Sequence, residues 1–172
     1  KMKLLLTDRC AWIWRDDRGE MLVMGTHVDD TLLCTNHRKL QDALMGHIRK
    51  HFPVQDYEPV SYFLGIGFTQ DLEKGTVALE QKGAVEALLQ EVGLKHKCHK
   101  KVPLPPGVKV LPYDGPCTES FRKEYQSKVA KAICLQGCDP SICQAVSKLA
   151  SVASNPSAEH MRLLTNCLLP YL

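Results

Sequence analysis

The sequence predicts an α+β fold: an antiparallel sheet with packed helices, followed by an all-helical subdomain. Three observations carry this. Short apolar runs broken by Asp- and Gly-containing turns dominate the first part of the chain. Apolar residues at helical spacing appear between these runs and again after them. Beyond a window crowded with proline and glycine, only the helical spacing persists. The chain therefore divides into a sheet-and-helix segment over 1–94, a Pro/Gly/Lys-rich linker over 95–117 and a helical subdomain over 118–172.

Each element follows from its residues. Ala11-Trp12-Ile13-Trp14 reads as a short strand with both tryptophans on one face as packing residues. Asp16-Asp17-Arg18-Gly19 is a turn. Residues 21–28 read as a second, largely buried strand; Asp29-Asp30 breaks it, and Thr31-Leu32-Leu33-Cys34 resumes extended structure. Asn36 is placed to cap a helix whose Leu40, Leu44, Ile48 and Phe52 recur every four residues, with Pro53 as its stop. Tyr62, Leu64, Ile66 and Phe68 alternate as one half-buried strand, within which Gly65 and Gly67 allow close backbone approach. Asp71-Leu72-Glu73-Lys74-Gly75 turns the chain into a returning strand at Thr76-Val77-Ala78-Leu79. Val85, Leu88, Leu89 and Val92 form a helix face, closed by Gly93.

The linker holds Pro103, Pro105, Pro106, Gly107, Pro112, Gly115 and Pro116. After it, Thr118 is placed to cap a helix with Phe121, Tyr125, Val129 and Ile133 on one side, ended by Gly137. Asp139-Pro140 is a cap followed by proline at the first helical position, and Asn155-Pro156 repeats that signal. Ile142, Ala145, Val146, Leu149 and Val152 form one apolar face, and Met161, Leu164 and Leu168 another.

Composition narrows the function classes. Apolar residues make up 44% of the 172, enough for a folded core. No apolar run reaches the roughly 20 residues needed to span a bilayer. No secretory signal is visible, and the eight cysteines are irregularly spaced, so reduced thiols in an intracellular setting are expected. The first residue is not Met, which suggests a piece of a longer chain. The net charge of +3 permits a polyanionic partner without demanding one. Lys95, Lys97, Lys100 and Lys101 concentrate positive charge with His96 and His99, as a phosphate-facing surface or a solvated linker would.

Two constellations suggest transition metals and are weak. Cys134, Cys138 and Cys143 with Cys98-His99 lack the paired spacing of a zinc site, and Cys134 and Cys143 fit as small apolar residues within helices. His47 and His51 lie four apart on one helix, but Arg49 and Lys50 beside them argue for a solvated basic face.

The candidate site is Asp29-Asp30. Carboxylate oxygens suit Mg²⁺, and a tight hairpin holds them at a tip without burying unpaired charge. Asp-Asp is also an ordinary turn, as Asp16-Asp17 shows. The context differs here: His27 and Val28 precede the pair, and Leu22, Val23, Val28, Leu32 and Leu33 would anchor it in a sheet.

His27-Val28-Asp29-Asp30 resembles the Tyr-Val-Asp-Asp motif of retroelement reverse transcriptases. Ser61-Tyr62-Phe63-Leu64-Gly65-Ile66 resembles a signature of copia-type LTR retrotransposon polymerases. Gln81-Lys82 with the helix and Gly93 that follow, Val102-Pro103-Leu104-Pro105-Pro106-Gly107, Tyr125, Asp139, Ala145-Val146-Ser147, Ser154-Asn155-Pro156 and His160 continue the resemblance in order along nearly the whole chain. The resemblance implies the second half of a polymerase palm plus a helical thumb or connection, with fingers and a third catalytic aspartate upstream. It implies Asp29 as a direct metal ligand, Asp30 as the supporting carboxylate, and His27 beside the nucleotide or primer. The implied reaction is two-metal nucleotidyl transfer with Mg²⁺ as cofactor. The implied partners are an RNA/DNA template–primer, deoxynucleoside triphosphates and the missing N-terminal half of the polymerase, with Lys95, Lys97, Lys100 and Lys101 on the duplex backbone.

The sequence departs from the family in three places. His27 replaces tyrosine, Gln55 replaces lysine, and Cys138-Asp139-Pro140 replaces Arg-Pro-Asp. These departures fit a diverged copy or a decaying one. The leading expectation is a reverse transcriptase fragment that is inactive alone. Its alternative is a non-catalytic retroelement remnant that binds nucleic acid or protein, and a third is a zinc-dependent interaction domain.

Overall fold

The computed structural model describes residues 2–55, 59–94 and 100–172. The chain is α+β and packs as two compact units, Lys1–Leu64 and Gly65–Leu172. That division falls ahead of the 95–117 segment.

In the first unit, β1 (Lys3–Leu4), β2 (Ala11–Arg15), β3 (Met21–His27) and β4 (Asp30–Thr35) form an antiparallel sheet in sequence order. The short β1 had no signal in the sequence. The β2–β3 turn is built by Asp16, whose Oδ1 accepts the Arg18 and Glu20 N–H groups at 3.0 and 2.9 Å. Trp14 opposes Leu22, and Trp12 opposes Met24, so both tryptophans share the Leu22 face. Helix α1 (Arg38–Ile48) brings Leu40 and Leu44 to an apolar cleft shared with Met2, Trp14 and Leu22.

Several expectations for this unit need correction. Strand β3 is not largely buried: Leu22 alone in it is. A four-stranded sheet with one short helix on it has too little cover to bury more. Asn36 is not the cap of α1. That position is His37, and no side chain caps it. Asn36 Oδ1 instead accepts the Met21 N–H at 2.8 Å, and its Nδ2 donates to the Gly19 carbonyl at 2.9 Å. The helix ends at Ile48 rather than at Pro53, and Phe52 lies exposed beyond it. The single strand expected over 62–68 is two: β5 (Tyr62–Phe63) and β6 (Ile66–Asp71). Leu64 and Gly65, at φ 50° and 82°, break it, because consecutive left-handed residues cannot continue an extended strand.

In the second unit, β6 pairs antiparallel with β7 (Thr76–Glu80), closing at Asp71↔Thr76. Asp71 Oδ1 accepts the Lys74 N–H at 3.0 Å inside this turn. Helix α2 (Lys82–Glu91) ends in a Schellman motif: Leu94 N–H donates to Leu89 O at 2.9 Å, and Gly93 N–H to Gln90 O at 3.0 Å. Gly93 takes φ 74°, where a side chain would be strained.

The main core lies in this unit. Leu88 and Leu89 pack with Tyr125, Val129, Ala132 and Leu135 of α3 (Glu119–Leu135), and with α4 (Cys143–Ala150) and α5 (Ala158–Leu163). Leu104, Val108 and Val110 pack against the same core, so this part of the proline-rich segment is not a free tether. Thr118 caps α3 as expected, its Oγ1 accepting the Phe121 N–H at 3.3 Å. The buried face of α3 differs from the four-residue row read in the sequence. Ile133 is 47% exposed, while Ala132 and Leu135 are buried. A strict step of four drifts off a 3.6-residue turn, and the buried stripe follows alternating threes and fours.

Asp139 caps the short 3₁₀ turn Pro140–Ile142 as expected, and Ile142, Ala145, Val146, Leu149 and Val152 are all buried. Asn155 does not start α5. Ser157 does, in a reciprocal capping box with His160: His160 N–H donates to Ser157 Oγ at 3.2 Å, and Ser157 N–H donates to His160 Nδ1 at 3.1 Å. Asn155 Nδ2 bonds the Tyr113 and Gly115 carbonyls instead. A π turn over Leu164–Leu168 and a 3₁₀ turn over Leu169–Tyr171 follow α5. Among the described residues, no helix is long and apolar enough to cross a membrane.

Candidate nucleotidyl-transfer hairpin

The β3–β4 ladder runs from Leu22↔Thr35 to His27↔Asp30. Apolar and β-branched residues on both arms favour the extended pairing. The last pair leaves a two-residue loop, Val28-Asp29. The turn is therefore one residue earlier than expected: Asp30 is the first residue of β4, and only Asp29 of the two carboxylates lies in the loop. His27, Asp29 and Asp30 are all exposed. Alternation puts His27 and Asp30 on the sheet face opposite Leu22 and Trp14, away from α1.

Val28 does not anchor the turn. It is 94% exposed, with φ 56°. A β-branched residue in the left-handed region is a strained choice for a slot that glycine fills in ordinary two-residue hairpins. Such strain persists where the flanking structure over-determines it. The flanks do so here. Thr26 N–H donates to Cys10 O at 2.8 Å, Thr35 Oγ1 donates to Met21 O at 2.7 Å, and Asn36 ties Met21 to Gly19. Thr26 thus ties the loop end of β3 to Cys10, while Thr35 and Asn36 hold the hairpin base. Sequence reasoning missed Thr26 and Thr35 and gave Asn36 a helix cap instead, since their partners lie far along the chain.

The donor chemistry fits a hard divalent cation in kind: two exposed carboxylates on consecutive residues of a rigid hairpin. It does not complete a site. Among the described residues, no group of three or more His, Cys, Asp or Glu side chains gathers to hold a metal ion.

Lys100 and Lys101 are exposed, whereas Lys95 and Lys97 lie outside the described residues. Cys134 and Cys143 are exposed rather than packed as apolar residues. Cys134 lines an open cleft between α2 and α3, and Cys143 stands at the start of α4, both off the buried stripes.

Residues 7–106 match the family model described as reverse transcriptase (RNA-dependent DNA polymerase). The chain belongs to this reverse transcriptase family. The matched segment contains the β3–β4 hairpin, the Leu64-Gly65 turn and the β6–β7 hairpin. The chain is also 28% identical, over 152 residues, to the retrovirus-related Pol polyprotein from transposon RE1 of Arabidopsis thaliana. That alignment covers 88% of this chain and 10% of the polyprotein, so the chain spans about a tenth of its relative's length. The resemblance to retrotransposon reverse transcriptases read from the motifs therefore holds for this chain. No solved structure matches it significantly.

Proposed function

We propose that the β3–β4 hairpin is the carboxylate-bearing tip of a polymerase palm, and that this reverse transcriptase segment takes part in RNA-directed DNA synthesis. One observation carries the reading: the family-matched segment presents Asp29 and Asp30 together at the exposed end of a braced two-residue hairpin. Asp29, in the loop, is the direct Mg²⁺ ligand, and Asp30, fixed in the ladder, is the supporting carboxylate. Bound there, Mg²⁺ supplies Lewis-acid stabilisation of the attacking primer oxygen and the departing pyrophosphate. The hairpin's part is to hold two negative charges in place before substrate arrives, so little reorganisation is needed on binding. His27, paired with Asp30, stands beside the carboxylates where a sugar or primer end would pack. Lys100 and Lys101, with Lys95 and Lys97, contact the duplex backbone. The partners are then a template–primer duplex and deoxynucleoside triphosphates.

A third carboxylate from another segment of the polymerase completes the set, so the chain alone extends no primer. The test is primer extension by the purified chain, alone and joined to a family segment that carries that carboxylate. Extension only when joined, abolished by Asp29→Asn, supports the reading. Equal extension by the Asp29→Asn protein overturns it. Nucleic-acid binding without extension in the joined protein favours a non-catalytic remnant.

A further inference from the structure

We propose that His47 and His51 form a two-imidazole chelate for a borderline transition-metal dication of the Zn²⁺, Ni²⁺ or Cu²⁺ class, separate from the Asp29–Asp30 hairpin. Both side chains are exposed, and their ring centroids stand 5.1 Å apart at an interplanar angle of 61°. With metal–nitrogen bonds of about 2.0–2.1 Å and a tetrahedral angle, two imidazoles on one ion have centroids roughly 5 Å apart. The rings are thus already at chelating separation.

The backbone sets that spacing. His47 lies in the last turn of α1, and α-helical winding continues past the helix end: Arg49 N–H donates to Met45 O and Phe52 N–H to Ile48 O, both at 3.0 Å. Residues four apart therefore remain stacked on one side. The end of a helix also presents partial negative charge, which favours a cation. Arg49 and Lys50 oppose it, and they set a modest affinity.

Donor type decides the class of ion. Imidazole nitrogen suits Zn²⁺, Ni²⁺ and Cu²⁺, whereas Mg²⁺ prefers oxygen. Two protein ligands leave coordination positions open to water or to a donor from a partner.

The test titrates the full chain with Zn²⁺ and follows the histidine ring signals by NMR, with His37 as internal reference. The His47 and His51 signals are expected to shift together along one saturation curve, while Mg²⁺ leaves both in place. His51→Gln is expected to weaken the His47 response at least tenfold, and His47→Gln the His51 response likewise. Independent responses in the two variants overturn the proposal. So does Zn²⁺ uptake at cysteines with both ring signals unmoved, or an equal response to Mg²⁺.

Discussion

His27 and Asp30 are the last paired residues of the β3–β4 ladder, and the loop they close holds Val28 at φ 56°. The side chain of Val28 packs on nothing, so this conformation has no compensating contact of its own. Left-handed backbone costs an L-residue roughly 1–2 kcal/mol. Val28→Gly removes that cost and adds back some unfolded-state entropy. The expected net result is a gain of about 0.5–1 kcal/mol, read as a higher urea midpoint at unchanged slope.

Asn36 separates two structural roles that the sequence leaves indistinguishable. As a helix cap it would be replaceable by serine or aspartate. As the tie between Met21 and Gly19 it needs both an acceptor and a donor. Asn36→Ala is expected to lower stability by about 1–2 kcal/mol through two lost hydrogen bonds. Asn36→Asp keeps the acceptor only and is expected to recover part of the loss. Full recovery with serine in chemical denaturation would return the residue to a capping role.

Tyr125 carries the pH dependence of the helical core. It is fully buried, its hydroxyl donates to Leu149 O at 2.9 Å, and burial pushes the hydroxyl well above the ordinary tyrosine range. The folded state therefore favours the protonated form more than the unfolded state does. That contribution is intact below about pH 10, the ordinary tyrosine value, and falls as pH rises past it toward the raised folded value. Tyr125→Phe is expected to cost about 1–2 kcal/mol at neutral pH. The gap from the parent protein should narrow above pH 10 in denaturation curves.

Lys100 and Lys101 bear on the duplex contact proposed for this chain. Each phosphate contact contributes about 0.9 to the slope of log affinity against log salt. Replacing both by alanine is expected to lower the slope by about 1–2, in fluorescence anisotropy with an RNA–DNA duplex, without changing sequence preference. An unchanged slope assigns these lysines to solvent.

The turn and cap signals were legible because they act within a few residues. Asp16, the Asp71 turn, Gly93, Thr118 and Asp139 all do locally what their neighbourhoods suggested. The candidate carboxylates were legible through their motif, down to the hairpin that carries them. The turn position was not, because a shift of one residue depends on the pairing register of both arms.

The sequence by itself determined that hairpins and helices alternate along this chain, where most of them begin, and which polymerase family the chain joins. Tertiary structure decided the rest. Asn36 and Asn155 look like helix starts yet bond partners 15 and 40 residues away. Ile133 yields its place in the core to Ala132 and Leu135 once neighbouring helices fix the rotation of α3. Val28, not Asp30, turns the hairpin. Local chemistry reaches only as far as one turn of chain, whereas hydrogen-bond partners, buried faces and strand register are chosen by segments that meet only on folding.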